Sequence, residues 1–175
     1  MTTTTRLSEL TGDYLLDAER TRIGFVARHR MGTRVRGRFS VFEGAVRLDG
    51  DDPAGSSARI TIQVESIETG NLRRDAQLCK EFLATTAYPT ITFVSTKVEQ
   101  TGATTFAVTG DLSIRGVTHS VTVRFELTGT EGDVTFAATL TINRMHWRVN
   151  WNAVTTVLVS PDVILDLQLT VSRSA

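Results

Sequence analysis

Cysteine is nearly missing from this 175-residue chain: Cys79 stands alone, so no internal disulfide can form and packing must hold the fold. A single-signed charge is missing too. Lys plus Arg number 19 and Asp plus Glu number 19. That balance removes the basic excess used in long-range attraction to nucleic acid or an anionic bilayer, and leaves room only for a local basic patch. No run approaches the roughly 18 apolar residues of a membrane-spanning helix. The opening Met1, Thr2 to Thr5, Arg6, Leu7 and Ser8 has no basic region leading into an apolar stretch, so the sequence predicts no secretory leader and a cytoplasmic location. Catalytic signatures are absent as well: there is no Gly-x-Ser-x-Gly, Gly-x-Gly-x-x-Gly, His-Glu-x-x-His or P-loop. Nothing marks a pair of carboxylates as acid and base. His29, His119, His146 and Cys79 share no ligand spacing, so neither a metal nor a cofactor is expected and no catalytic residue is assigned.

What the chain does have is alternation. It is 41% hydrophobic and of a length for one domain, which the pattern places at residues 13–173 behind a flexible segment, 1–12. Thr, Val, Ile and Phe recur with period two in short runs separated by Gly, Asp, Asn or Pro, the grammar of half-buried strands. Ile23, Phe25, Ala27 and His29 share one face, as do Val35, Gly37, Phe39 and Val41 opposite Arg34, Arg36 and Arg38. The apolar parity then shifts to Phe42, Gly44, Val46 and Leu48, which predicts a bulge or bend near Val41 and Phe42. Further stripes bring the total to eight or nine strands. One stretch breaks the rhythm: residues 72–84, where Leu72, Ala76, Cys79, Phe82 and Leu83 have helical spacing behind an Asn71 N-cap. The fold class is all-β with one short helix. The strands must close into a barrel or pack as a sandwich.

Several segments fall in register with a known family: Phe25-Val26-Ala27-Arg28-His29, Val35-Arg36-Gly37-Arg38-Phe39, Ser66-Ile67-Glu68-Thr69-Gly70-Asn71, Tyr88-Pro89-Thr90-Ile91-Thr92-Phe93, Gly110-Asp111-Leu112-Ser113-Ile114-Arg115-Gly116 and Ile142-Asn143-Arg144. From about Asp13 to Val171 the chain resembles the YceI family, the lipocalin-like polyisoprenoid-binding proteins of bacteria. The resemblance implies a closed eight-stranded antiparallel barrel of extended lipocalin type and a long apolar tunnel. It also implies a bound polyisoprenoid or other long-chain lipid, and a homodimer. Many members are exported, which this sequence's opening does not match.

With that resemblance, the inward Phe25, Phe39, Ile62, Phe82, Phe93, Leu112, Ile114, Phe125 and Leu140 are expected to line the tunnel; without it, the same residues would fill a core. His29, His119 and Arg144 share inward parity, and Arg30 lies in the turn beyond His29, so these four are the candidates for a lipid head group. For His29 and Arg144, structural hydrogen bonding is an equal alternative. Arg34, Arg36 and Arg38 should face water, Arg74 and Asp75 should form a structural ion pair, and the loop with Trp147 and Trp151 should plug a barrel end. Two other functions remain open: a small-molecule isomerase or hydrolase using His29 or His119 as general base, and an interaction module with a filled barrel.

Overall fold

The computed structural model describes residues 6–174. Its strand segments are β1 (Gly12–Leu16), β2 (Arg22–His29), β3 (Arg34–Phe39), β4 (Phe42–Leu48), β5 (Ser57–Gln63), β6 (Ile67–Glu68), β7 (Thr90–Gln100), β8 (Thr105–Ile114), β9 (Val117–Gly129), β10 (Val134–Asn143) and β11 (Val159–Arg173). Three pairs of chain neighbours each make one bent strand. β2 prolongs β1 along β11, β3 prolongs β4 along β2, and β6 prolongs β5 along β3. The eight resulting strands pair antiparallel in chain order, and β11 returns to β1 to close the ring. This is the closed eight-stranded barrel the resemblance implies, and it decides between the barrel and the sandwich that alternation left open.

The β10–β11 ladder shows how the sequence sets the register. Val134, Phe136, Ala138, Leu140 and Ile142 lie opposite Val171, Leu169, Leu167, Leu165 and Val163, while Thr135 and Thr139 meet Thr170 and Asp166 on the other face. A slip of either strand by one residue would turn its five apolar side chains outward. The bend expected at Val41 and Phe42 falls between β3 and β4: Val41 is 55% exposed and Phe42 9%. At the other bend, Thr21 and Thr170 clasp each other: the Thr170 amide donates to Thr21 Oγ1 at 3.0 Å, and the Thr21 hydroxyl to the Thr170 carbonyl at 3.2 Å.

Because the strands run up and down, the links alternate between two ends. One end carries residues 30–33, 69–89, 115–116 and 144–158; the other carries the N-terminal segment, residues 49–56, 101–104 and 130–133, and the end of β11. The first end holds both helices. Helix α1 (Leu72–Gln77) is capped by Asn71, whose side chain accepts from the Arg74 amide at 3.0 Å, and it widens into a π-helical turn over Leu78–Phe82. That widening rotates the expected apolar face: Phe82 and Leu83 are buried, while Leu72 is 89% exposed and Ala76 also faces water. Arg74 and Asp75 do not form the expected ion pair. Each fastens Thr69 instead, Arg74 donating to its carbonyl at 2.7 Å and Asp75 accepting from its amide at 3.0 Å. A second helix, α2 (Ala153–Leu158), went unread in the sequence although Asn152 and Thr155 cap it reciprocally.

The N-terminal segment departs from the expectation of a free tail. Residues 1–5 lie outside the described ones, but Leu7–Leu10 form a 3₁₀ turn laid across the second end. Leu10 is buried beside Tyr14, whose hydroxyl donates to the Leu10 carbonyl at 2.7 Å. Arg173 donates to the carbonyls of Glu9 and Thr11 at 2.7 and 3.0 Å.

Two inward glycines shape the interior. A Cβ on Gly37 would sit 2.3 Å from the Phe25 ring, and one on Gly110 would sit 2.5 Å from the Phe93 ring and 2.6 Å from the Val94 carbonyl oxygen. Each ring therefore lies back over glycine backbone rather than across the barrel. Gly110→Val should cost about 2 kcal/mol or more, because backbone as well as ring must yield; urea unfolding would check it, and an unchanged midpoint would mean that the wall gives freely.

Candidate ligand-binding site

Three apolar clusters stack along the barrel. Phe82, Leu83, Ile91, Leu112, Ile114 and Trp147 pack tightly at the helix-bearing end; Ile23, Phe42, Ile60 and Leu169 form a middle belt; Leu10, Tyr14, Val134 and Val171 close the other end. Between the belt and the N-terminal turn lies a cavity of about 100 Å³. Phe93, Phe106, Phe125 and Phe136 wall it from different strands, Leu7, Leu10 and Leu48 roof it, and Asp49, Ser56 and Ser57 supply the few polar atoms at its rim. The Phe125 and Phe136 rings meet edge to face at 6.3 Å.

Of the nine residues expected to line a tunnel, Phe93 and Phe125 line this cavity. Phe82, Leu112 and Ile114 are instead buried in the packed cluster at the opposite end. Phe25, Phe39, Ile62 and Leu140 occupy the ground between, inward and only half buried, with the Phe25 and Phe39 rings 5.7 Å apart. Phe106 and Phe136 were missed as liners although each sits in an inward stripe. Leu7 and Leu10 carried no signal, because the segment they belong to reads as a tail.

The four head-group candidates gather at the helix-bearing end, away from the cavity. Arg30 is exposed in the β2–β3 turn, where its amide donates to the Leu158 carbonyl at 2.7 Å, and His29 beside it is half buried. His119 keeps inward parity but lies at the rim, exposed, with Nε2 2.9 Å from the His146 carbonyl oxygen and its ring edge-on to Trp147 at 5.3 Å. His146 does not continue the inward stripe of Ile142, because β10 stops at Asn143 and a 3₁₀ turn, Arg144–Trp147, takes over. It is exposed.

Arg144 is 4% exposed and fully engaged. Nε donates to the Ser160 carbonyl at 3.0 Å, Nη1 to the Val149 carbonyl at 2.6 Å and to Asn150 Oδ1 at 3.1 Å, and Nη2 to the carbonyls of Val159 and Thr155 at 2.9 and 3.3 Å. All five N–H directions are used within the link from β10 to β11, so the side chain staples that link and offers no donor to a head group. Burial, and after it the nearby charge of Arg30, holds the guanidinium below its ordinary range. The expected plug divides in the same region. Trp147 is buried and donates to the Leu112 carbonyl at 2.9 Å, whereas Trp151 stands at the surface, 6.4 Å from the Phe82 ring.

A YceI-like domain model matches residues 14–171, the whole ring of strands from β1 to the end of the β10–β11 ladder. The chain belongs to the YceI family. Among curated YceI relatives, Protein YceI of Shigella flexneri is 36% identical over 129 residues, covering 72% of this chain and 66% of that one. A UPF0312 protein of Pseudomonas aeruginosa is 34% identical over 127 residues, covering 71% and 65%. The chain thus spans just under two thirds of these relatives' length. Among solved structures, Burkholderia cenocepacia BcnA superposes with a TM-score of 0.84 at 28% identity, over 89% of this chain and 98% of that one. A polyisoprenoid-binding domain from Saccharophagus degradans superposes with a TM-score of 0.77 at 18% identity, over 92% and 98%, and so shares the fold.

Within this YceI barrel, Cys79 is half buried with its sulfur 3.8 Å from the Val64 carbonyl oxygen. Burial, with the charges of Glu65 and Asp75 behind it, pushes the thiol above its ordinary range, which disfavours the reactive thiolate. Among the described residues no three His, Cys, Asp or Glu side chains come together as a metal site, and no helix is long and apolar enough to cross a membrane.

Proposed function

We propose that this YceI barrel binds the hydrocarbon chain of a polyisoprenoid or acyl lipid in its apolar interior and does no chemistry on it. The observation that carries the reading is the cavity walled by four phenylalanines inside a closed barrel. Burial of hydrocarbon releases about 0.8 kcal/mol per CH₂, so one five-carbon isoprene unit gains about 4 kcal/mol on entering such a space. A space of about 100 Å³ is smaller than the roughly 150 Å³ that takes one benzene. A long chain therefore enters by displacing the half-buried Phe39 and Leu140 along the axis, while the glycine notches at Gly37 and Gly110 keep the Phe25 and Phe93 rings against the wall. Identity with the Saccharophagus domain is low, and its polyisoprenoid is offered here only as the first ligand class to try.

The isomerase or hydrolase reading has less support. His119 is exposed and tied to a backbone carbonyl, and His29 lies at the end remote from the cavity. Native mass spectrometry and organic extraction of protein purified from its own host test the carrier reading. A polyprenyl or fatty-acyl compound should copurify, and adding it back to stripped protein should raise the unfolding temperature. An empty barrel under mild conditions, with no thermal protection by either class, would overturn the proposal.

A further inference from the structure

A chain of zero net charge hides a strongly polarised molecule. The β2–β3 turn with the strand ends that flank it, residues 28–36, and the links 69–89, 115–116 and 144–158 are scattered along the sequence, yet the barrel brings them to one end, where they interlock. The Arg30 amide bonds the Leu158 carbonyl at 2.7 Å, the Phe82 and Trp151 rings lie 6.4 Å apart, and Arg115 donates to the Asn150 carbonyl at 3.1 Å. These four segments hold ten Lys and Arg against two acids, Asp75 and Glu81, which leaves nine cations against seventeen acids for the rest of the chain. None of the ten enters an ion pair among the described residues; Arg144 is buried, Arg74 and Arg115 are half buried on backbone carbonyls, and the other seven are exposed. The same end collects apolar surface: of the ten exposed large hydrophobic residues among those described, seven lie here, including Met31 at 84%, Leu72, Trp151 and three from α2, Val154, Val157 and Leu158.

We propose that the helix-bearing end is a docking face for an anionic lipid bilayer. Unpaired arginines ringing exposed apolar side chains match such a surface on both counts, since phosphate head groups take the charges and the boundary of the acyl region takes Met31, Trp151 and α2. A soluble acidic partner would satisfy the arginines and leave the apolar residues in water. An apolar protein partner would do the reverse.

Sedimentation of the stripped full-length protein with phosphatidylglycerol vesicles and with phosphatidylcholine vesicles tests this. Neither vesicle contains isoprenoid, so the result does not depend on what the barrel carries. Binding should appear on phosphatidylglycerol and weaken with added salt. The double variant Arg30→Ser, Arg34→Ser should weaken it about 25-fold, at about fivefold per cation. Met31→Ser with Val157→Ser should weaken it about tenfold through lost apolar insertion, and both variants should keep the wild-type circular dichroism and unfolding temperature because their side chains are exposed. Absence of binding to phosphatidylglycerol vesicles would overturn the proposal, as would variants that bind like wild type. Loss with the arginine pair but none with the Met31 and Val157 pair would overturn it in favour of a soluble acidic partner.

Discussion

Arg144→Leu should destabilise the protein by about 3–5 kcal/mol, because several buried carbonyl oxygens lose their donor at once. The guanidinium is the hub of the link between β10 and β11: it ties the carbonyls of Val149, Thr155, Val159 and Ser160 to a single point. Leucine keeps the volume but leaves those carbonyl oxygens without that donor, and each such buried orphan costs about 1–3 kcal/mol less whatever water can recover. No carboxylate is among the five partners, so the site depends on the planar fork rather than on charge neutralisation. Arg144→Lys is therefore expected to rescue little, because one ammonium cannot reach acceptors spread from Val149 to Ser160. Urea unfolding measures the loss, and limited proteolysis should find new cleavage between residues 145 and 158 while the strands stay protected. A loss under about 1 kcal/mol in both variants would mean that water replaces the fork and that the side chain is free for some other task.

The role of Arg144 also shows where sequence reasoning stopped working. Period-two alternation is a local rule, and it placed β10 and β11 correctly because Val134 to Ile142 and Val163 to Val171 obey it without interruption. It even located the bend at Val41 and Phe42, since a parity flip is visible in four residues. The rule fails at the first residue past a strand. Arg144 and His146 have the parity of Ile142, but the backbone has turned by then, so one is buried as a staple and the other faces water. Helix α1 was legible from Asn71 and its spacing, whereas the π-helical widening at Leu78–Phe82 changes which side faces inward and has no counterpart in hydrophobic periodicity. The cavity was half legible for a different reason. Inward parity is shared by Phe93, Phe125, Leu112 and Ile114 alike, and what separates liners from packed core is position along the barrel axis, set by strand stagger and by which links cover each end. Leu10 covers one end from a segment that reads as a tail. The basic end was legible only in part: Arg28, Arg30, Arg34 and Arg36 crowd one stretch, but the other six cations are divided among three further segments and cancelled in the total by acids elsewhere.

Phe82→Ala should lower stability by about 3–5 kcal/mol in the stripped protein, the range for removing a buried aromatic ring. The ring belongs to the cluster that fills the helix-bearing end, beside Leu83, Ile91 and the buried Trp147. It is carried by the π-helical turn, and turns of that kind recur at functional sites. Its loss opens apolar space toward Phe39 and Leu140, the half-buried side chains that a long chain must displace. Two readouts then separate a stopper from an ordinary core residue. If the ring stops a lipid channel, a polyprenyl or acyl ligand fills the vacated volume. The variant should then regain part of its lost stability on ligand addition, by more than wild type gains, and should retain longer chains in native mass spectrometry. If the ring only packs the end of a filled barrel, the variant is less stable with and without lipid and retains no more of it than wild type. That outcome would confine the binding space to the cavity beneath the N-terminal turn, where Leu10→Asp rather than Phe82→Ala becomes the substitution that controls occupancy.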